Sequence, residues 1–291
     1  MTTAGLGRHL KRLASLTIWL VLAACAEVSG QQLGASRSLL VTVTDRTGAP
    51  TVDVSADDFV VEEGRDERDI LGARVADYPV IVLIDNGAAL RVMRDAVVRF
   101  ITRIGQRPVA IGTLADPPTF VARLDDEREH VLERLAAITI AQSDVLRPLS
   151  ALSDAAGLLA EAQPPFAVVV VLSSRPVDAA DQPTTERVTP ILESGAAVHV
   201  VALQAPDLTV TNERAGSTSP DLLQTLAAQT RGQYVAIYTP VSFSIALDRL
   251  ADRLSTEVIV EYLVPPDSSG ADARVGIRIP GARVTGLGIS K

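Results

Sequence analysis

The sequence predicts a doubly wound α/β fold, with a mostly parallel sheet and a small β layer contributed by extensions at both ends. Three observations predict it. The runs Val80–Ile84, Phe166–Leu172 and Ala197–Leu203 are almost wholly apolar, as expected of strands buried on both faces. These runs alternate with segments of helical period. In Leu90–Ile104, for example, Met93, Val97, Phe100, Ile101 and Ile104 fall on one face, and such alternation marks parallel strands joined by crossover helices. The outer segments Leu39–Thr44 and Val258–Val264 instead alternate apolar and polar residues, so one of their faces meets water.

Each element has a local reason. Leu39–Thr44 is β-branched and stops at the turn residues Asp45, Arg46, Thr47 and Gly48. Phe59–Glu62 is a second strand, ended by Glu63 and Gly64, with Asp57 and Asp58 as turn or capping residues before it. Arg65–Asp69 is charged and expected to be exposed. Pro108–Leu114 is a strand, and Thr119–Leu124 is a short edge strand. Asp125, Asp126 and Glu127 open a helix to Ile138, where the macrodipole favours acids. Leu152–Ala162 is helical. Thr184–Glu193 is helical and ends at Ser194 and Gly195. Ser219, Pro220 and Asp221 start a helix that runs to about Thr230. Gln233–Ile237 closes the core sheet. Ser242–Ser255 is the last helix, and Arg274–Ile279 is a final strand. The divisions expected are 1–24 targeting segment, 25–37 tether, 38–77 β extension, 78–240 α/β core, and 241–291 last core helix with a C-terminal β extension.

Arg8, Lys11 and Arg12 precede the apolar stretch Leu13–Ala26. A basic start followed by a short hydrophobic run reads as a secretory signal, and the run is too short to span a bilayer as a helix. Leu22, Ala23, Ala24 and Cys25 resemble a bacterial lipobox, which makes Cys25 the expected lipidation site. Ordinary signal cleavage near Val28–Gly30 is the alternative. An exported protein follows in either case: a periplasmic or outer-membrane lipoprotein, or a secreted one.

Composition excludes several function classes. With 47% hydrophobic and 21% charged residues, the chain is of ordinary globular type. A net charge of −8 argues against nucleic-acid binding, which needs a basic face. Lys11 and Lys291 are the only lysines, so there is no phosphate-loop lysine and no interior Schiff-base lysine. Cys25 is the only cysteine, which removes disulfide frameworks and thiolate zinc sites. No Gly-x-Ser-x-Gly elbow occurs. His9 lies in the signal, His130 in a charged helix, and His199 inside a strand, where it reads as a packed or hydrogen-bonded residue. No catalytic residues and no cofactor are assigned.

The sharpest local feature is Asp85. It ends the strand Val80–Ile84 and is followed by Asn86, Gly87, Ala88 and Ala89. Ligands of doubly wound sheets bind beyond the carboxyl ends of the strands. Asp85 is expected to cap the helix that begins near Leu90 or to accept N–H bonds in its own loop.

The order of elements resembles a von Willebrand factor type A domain, and more narrowly a bacterial family of such domains with β extensions. The residues that carry this likeness are Val41–Asp45 with Gly48 and Pro50, Asp58–Phe59, the Asp85 strand, Ser150–Ala155, Leu222–Leu223 through Arg231–Tyr234, and Ala246–Leu250 running on to Tyr262. Members with a working metal-ion-dependent adhesion site carry Asp-x-Ser-x-Ser, a threonine in a second loop and an aspartate in a third. The resemblance puts Asp85 at the first position, Gly87 and Ala89 in place of both serines, Ser150 in place of the threonine, and Ser174, after Ser173, in place of the second aspartate. It therefore implies a degenerate site with no metal; Asp178 or Asp181 swinging in is the alternative. The function it implies is an adhesion-type protein–protein interaction module of the cell envelope, recognising an unidentified protein partner. Its binding face would comprise Asp85, Asn86, Gly87, Ala88, Ala89, Ser150, Ser173 and Ser174, with membrane contact through an acylated Cys25. A structural scaffold lipoprotein and, further off, a hydrolase on the same fold are the alternatives.

Overall fold

The computed structural model describes residues 35–51, 53–141, 146–175, 181, 183–204, 219–265 and 272–290. The targeting segment, Cys25 and Asp178 lie outside the described residues.

The central strands are β5 (Val80–Ile84), β6 (Val109–Thr113) and β8 (Val168–Ser173), and every residue in them is buried. With β7 (Phe120–Ala122), β9 (Ala197–Leu203) and β10 (Tyr234–Ile237) they form a six-stranded sheet of order β10-β9-β8-β5-β6-β7. All neighbours are parallel except β6 and β7. Alternation along β5 divides the core. Val80, Val82 and Ile84 face one apolar cluster, shared with helices α1 (Leu90–Arg103), α2 (Arg128–Ala137) and α6 (Ser242–Leu254). Ile81 and Leu83 face the other, with α3 (Pro148–Ala162), α4 (Thr185–Glu193) and α5 (Ser219–Gln229). The period-2 geometry of a strand thus builds a helix–sheet–helix sandwich from one apolar run.

The extensions form two small antiparallel sheets. One has the order β13-β1-β11-β4, from Arg283–Ile289, Ala35–Thr44, Glu257–Val264 and Ile70–Val75. The other has the order β12-β2-β3, from Ala273–Ile277, Phe59–Glu63 and Asp66–Arg68. The charged run Arg65–Asp69 contains β3, and neither Ile70–Val75 nor Arg283–Ile289 is apparent as a strand from its own residues. No residue of either strand is buried. Their pairing with β11 and β1 makes them strands, not their own pattern. Glu63, buried on β2, ties the two sheets: it meets Arg37 at 3.4 Å and Arg68 at 3.2 Å and accepts from the Tyr262 hydroxyl at 3.5 Å.

A second buried polar cluster joins the start of β5 to α6 and β11. The Tyr78 hydroxyl donates to Glu257. The Arg107 guanidinium lies 4.1 Å from the Tyr78 ring centroid and donates to the Leu254 carbonyl at 2.6 Å. Burial raises the Glu257 pKa, against the hydrogen bond from Tyr78 and the charge of Arg107.

Backbone packing is tightest at Gly232. A Cβ there would lie 1.9 Å from the Val198 carbonyl oxygen, so β10 can enter beside β9 only past a residue without a side chain. Gly232→Ala is expected to destabilise the fold at or beyond the upper end of the range for overpacking, about 1–3 kcal/mol. Denaturant unfolding measures it, and an unchanged midpoint would contradict this close approach.

Candidate functional site

The parallel direction of β5, β6 and β8 brings their carboxyl ends to one edge. The chain leaves β5 towards β6 on one side and returns to β8 on the other, so the crevice between β5 and β8 is the switch point of the sheet. Asp85 stands on one side of it and Ser173, Ser174 and Arg175 on the other.

Asp85 is fully buried, and both its oxygens are occupied. Oδ1 accepts from the Gly87 N–H at 2.9 Å and from Arg175 Nε at 2.8 Å, with Arg175 Nη2 at 2.5 Å. Oδ2 accepts from the Ser174 N–H at 2.9 Å and the Ser174 hydroxyl at 2.5 Å. A carboxylate offers roughly four lone-pair directions, and these donors use them. Asp85 therefore pins its own loop and the loop after β8. It does not cap α1, whose first residue takes no side-chain bond and whose Leu90 N–H donates to the Gly87 carbonyl at 3.0 Å.

Gly87 has a positive role in this arrangement. A Cβ on it would lie 2.5 Å from Arg175 Nε and 2.9 Å from Arg175 Cδ, so the arginine crosses a residue that must lack a side chain. Asn86 is buried and turns outward from the crevice: its Nδ2 donates to the Thr139 carbonyl at 3.2 Å, and its carbonyl accepts from the Ala141 N–H at 2.9 Å. Ala88 is exposed and Ala89 half-buried. The Ser173 hydroxyl donates to the Arg175 carbonyl at 3.3 Å.

Ser150 belongs to the first turn of a helix, not to a loop. Helix α3 begins at Pro148, four positions before the start expected at Leu152. No side chain next to Pro148 caps it. The cap comes from Asp181, whose Oδ2 accepts from the Leu149 N–H at 2.7 Å, with the Ser150 N–H also directed at its carboxylate. Orphan N–H groups and the helix dipole both favour a carboxylate there. Arg187 completes the contact at 2.8 Å from Asp181 Oδ1. Burial raises the Asp181 pKa, opposed by the Leu149 N–H and by Arg187. A third pair, Arg147 with Asp116 at 3.1 Å, lies beside the same edge.

These residues do not fit the divalent cation that family members with a working adhesion site carry. Such an ion needs a near-octahedral set of oxygens. Asp85 is filled, Gly87 and Ala89 carry no side-chain oxygen, Asp181 is committed to α3, and a guanidinium occupies the crevice. Among the described residues no group of three or more His, Cys, Asp or Glu side chains could hold a metal. The sequence reading passed over Arg175 and the capping by Asp181. The available signal was the glycine at position 87 facing an arginine directly after the serine pair.

His199 lies in β9, buried, with Nδ1 accepting from the Gln233 N–H at 3.1 Å. His130 is exposed on α2. Burial, with a smaller push from Arg253, holds the His199 pKa down to about 4.

Two predictions follow from this geometry. Arg175→Ala leaves a buried carboxylate without its countercharge and should lower stability by about 3–5 kcal/mol, measured by denaturant unfolding. For His199, the unfolded imidazole protonates near 6.5 and the folded one near 4. Its contribution to stability is therefore complete above pH 6.5 and is lost as the pH falls towards 4. The raised pKa values of Asp181 and Glu257 have the opposite slope. They are common to both proteins when His199→Gln is compared with the parent, and the variant should lose less stability between about pH 7 and pH 4.5. Equal losses would remove His199 from the acid response.

No family model and no curated protein matches the chain. Among solved structures, a von Willebrand factor type A protein from Catenulispora acidiphila is 10% identical, with 90% of this chain and 74% of that one covered and a TM-score of 0.48. The von Willebrand factor domain of the type V pili tip protein Mfa5 from Porphyromonas gingivalis is 8% identical, with coverage of 62% and 96% and a TM-score of 0.47. Proximal thread matrix protein 1 from the mussel byssus is 12% identical, with 65% of this chain covered and a TM-score of 0.49; the chain spans 49% of the length of that protein. By its own strand order and crossovers the chain has a doubly wound, mostly parallel α/β fold with added antiparallel strands.

Proposed function

We propose that the chain is a protein–protein interaction module of the bacterial cell envelope, and that it engages its partner through the loop face above Asp85 without a divalent cation. The observation that carries this reading is the pinning of two loops through one carboxylate. A surface held in one geometry before binding loses little freedom on association, and loops on a rigid scaffold are where recognition concentrates. Ala88 stands exposed on that surface, beside the buried Gly87 and Asp85. Export rests on the segment before residue 25, and attachment to a membrane on Cys25. Among the described residues no helix is long and apolar enough to cross a membrane.

A non-enzymatic role is favoured by how the polar side chains are used. His199 accepts a backbone N–H, and the serines at the loop face serve Asp85 and the backbone. None of these hydroxyls is hydrogen-bonded to a histidine, as an activated nucleophile would be.

The experiment is affinity capture from envelope extract with the parent protein and with Ala88→Trp, each with magnesium and with chelator. A bulky residue at the exposed position should weaken capture of the same partner about tenfold or more, the loss of one well-placed contact, while chelation should leave capture unchanged. Capture that survives Ala88→Trp moves the interface elsewhere, and capture abolished by chelator overturns the metal-independent reading.

A further inference from the structure

We propose that a small cavity at the end of the sheet opposite Asp85 is an anion site, in which Arg231 and Arg253 hold a small oxyanion, a carboxylate or a phosphate group. The site lies where the core meets β13, and it stands apart from the loop face above Asp85.

The cavity has a volume of about 190 Å³. It is lined by the starts of β8 and β9, by Arg231 after α5, by Arg253 near the end of α6 and by Gly286–Gly288 of β13. Sites for drug-sized molecules have roughly 300–1,000 Å³, so the occupant here is a smaller one. Every other half-buried arginine among the described residues meets an acid or a backbone carbonyl, as Arg187 meets Asp181 and Arg128 the Ile101 carbonyl. Arg253, also half-buried, has neither among the described residues. Arg231 is exposed and equally without a hydrogen bond or ion pair there, but its place is fixed. Its φ is 60°, in the left-handed region, so a side chain is kept at a position where glycine would cost less. Its guanidinium rests against Gly288, where a Cβ would lie 3.4 Å from Nη1 and 3.5 Å from Nη2.

A third donor lines the cavity. His199 is 4% exposed, and its Nδ1 accepts the Gln233 N–H, so its proton is on Nε2. The described residues offer that N–H no acceptor, an uncommon state for a buried donor. Glu257 also lines the cavity, but Tyr78 holds its carboxyl and the charge of Arg107 offsets it. The C-terminal ends of α5 and α6 each bring about half a negative charge. Two guanidiniums outweigh these ends and leave about one positive charge without a partner, in a chain whose net charge is −8.

The test uses the full chain, titrated with sodium phosphate and separately with sodium acetate. Each is compared with sodium chloride at equal ionic strength, which removes simple screening. Calorimetric binding and thermal unfolding are the readouts. The parent should bind at least one of the two anions saturably and gain midpoint with it; the tighter anion assigns the group as phosphate or carboxylate. Arg253→Gln should weaken that binding about tenfold or more, the loss of a charge-assisted contact. Arg231→Gly should weaken it likewise, while its stability without anion stays close to the parent's, because glycine relieves the left-handed backbone. Arg231→Gly carries the test if Arg253→Gln does not fold. Arg123→Gln, at an exposed arginine outside the cavity, should bind as the parent does. No saturable binding of either anion by the parent, binding that survives both cavity substitutions, or an equal loss in Arg123→Gln would each overturn the proposal.

Discussion

The contact between the buried Asp85 carboxylate and the Arg175 guanidinium governs the carboxyl edge of the sheet. A charge at the end of a wholly apolar strand is tolerable only when it is neutralised and fully hydrogen-bonded. Asp85 meets both conditions through donors from two loops: Gly87 from its own, Ser174 and Arg175 from the loop after β8. The strands bring these loops together by running parallel, and the carboxylate fixes their separation to hydrogen-bond length. In doubly wound folds ligands bind at this edge, and here the bonds that satisfy a buried charge also set its shape.

The principle recurs around the edge. Asp181 is matched by Arg187 while it caps α3, and Asp116 is matched by Arg147. With Asp85 and Arg175, each of these acids has an arginine partner. These three described pairs are each neutral in a chain whose net charge is −8. Arginine suits this use because its planar fork can address a carboxylate while its aliphatic stem packs. The acids here serve the structure, and the surface they support is closed.

The opposite end of the sheet and the β extensions are held by buried polar bonds of their own. Tyr78, Glu257 and Arg107 join the first core strand to the last helix and to β11, and Glu63 ties the two small sheets together. Strands such as β4 and β13, weak in their own apolar pattern, exist because β11 and β1 offer them an edge. Within the extensions, β4 and β13 consequently depend on β11 and β1 for their order, while the core strands are specified by their own burial.

The sequence by itself determined the core. Unbroken apolar runs at Val80–Ile84, Phe166–Leu172 and Ala197–Leu203, spaced by helical segments, allow few arrangements other than a parallel sheet with crossovers, and strand polarity then places Asp85 at its edge. Residue identity alone also shows that Gly87 and Ala89 bring no side-chain oxygen to that edge. The tertiary structure decided what fills that place. Arg175 lies ninety positions from Asp85, and Asp181 lies 32 positions from Leu149, whose N–H it caps. Such contacts leave no local periodicity or spacing, because they arise only when separate strands end side by side. For the same reason Ile70–Val75 and Arg283–Ile289 become strands only when a neighbour supplies their hydrogen bonds.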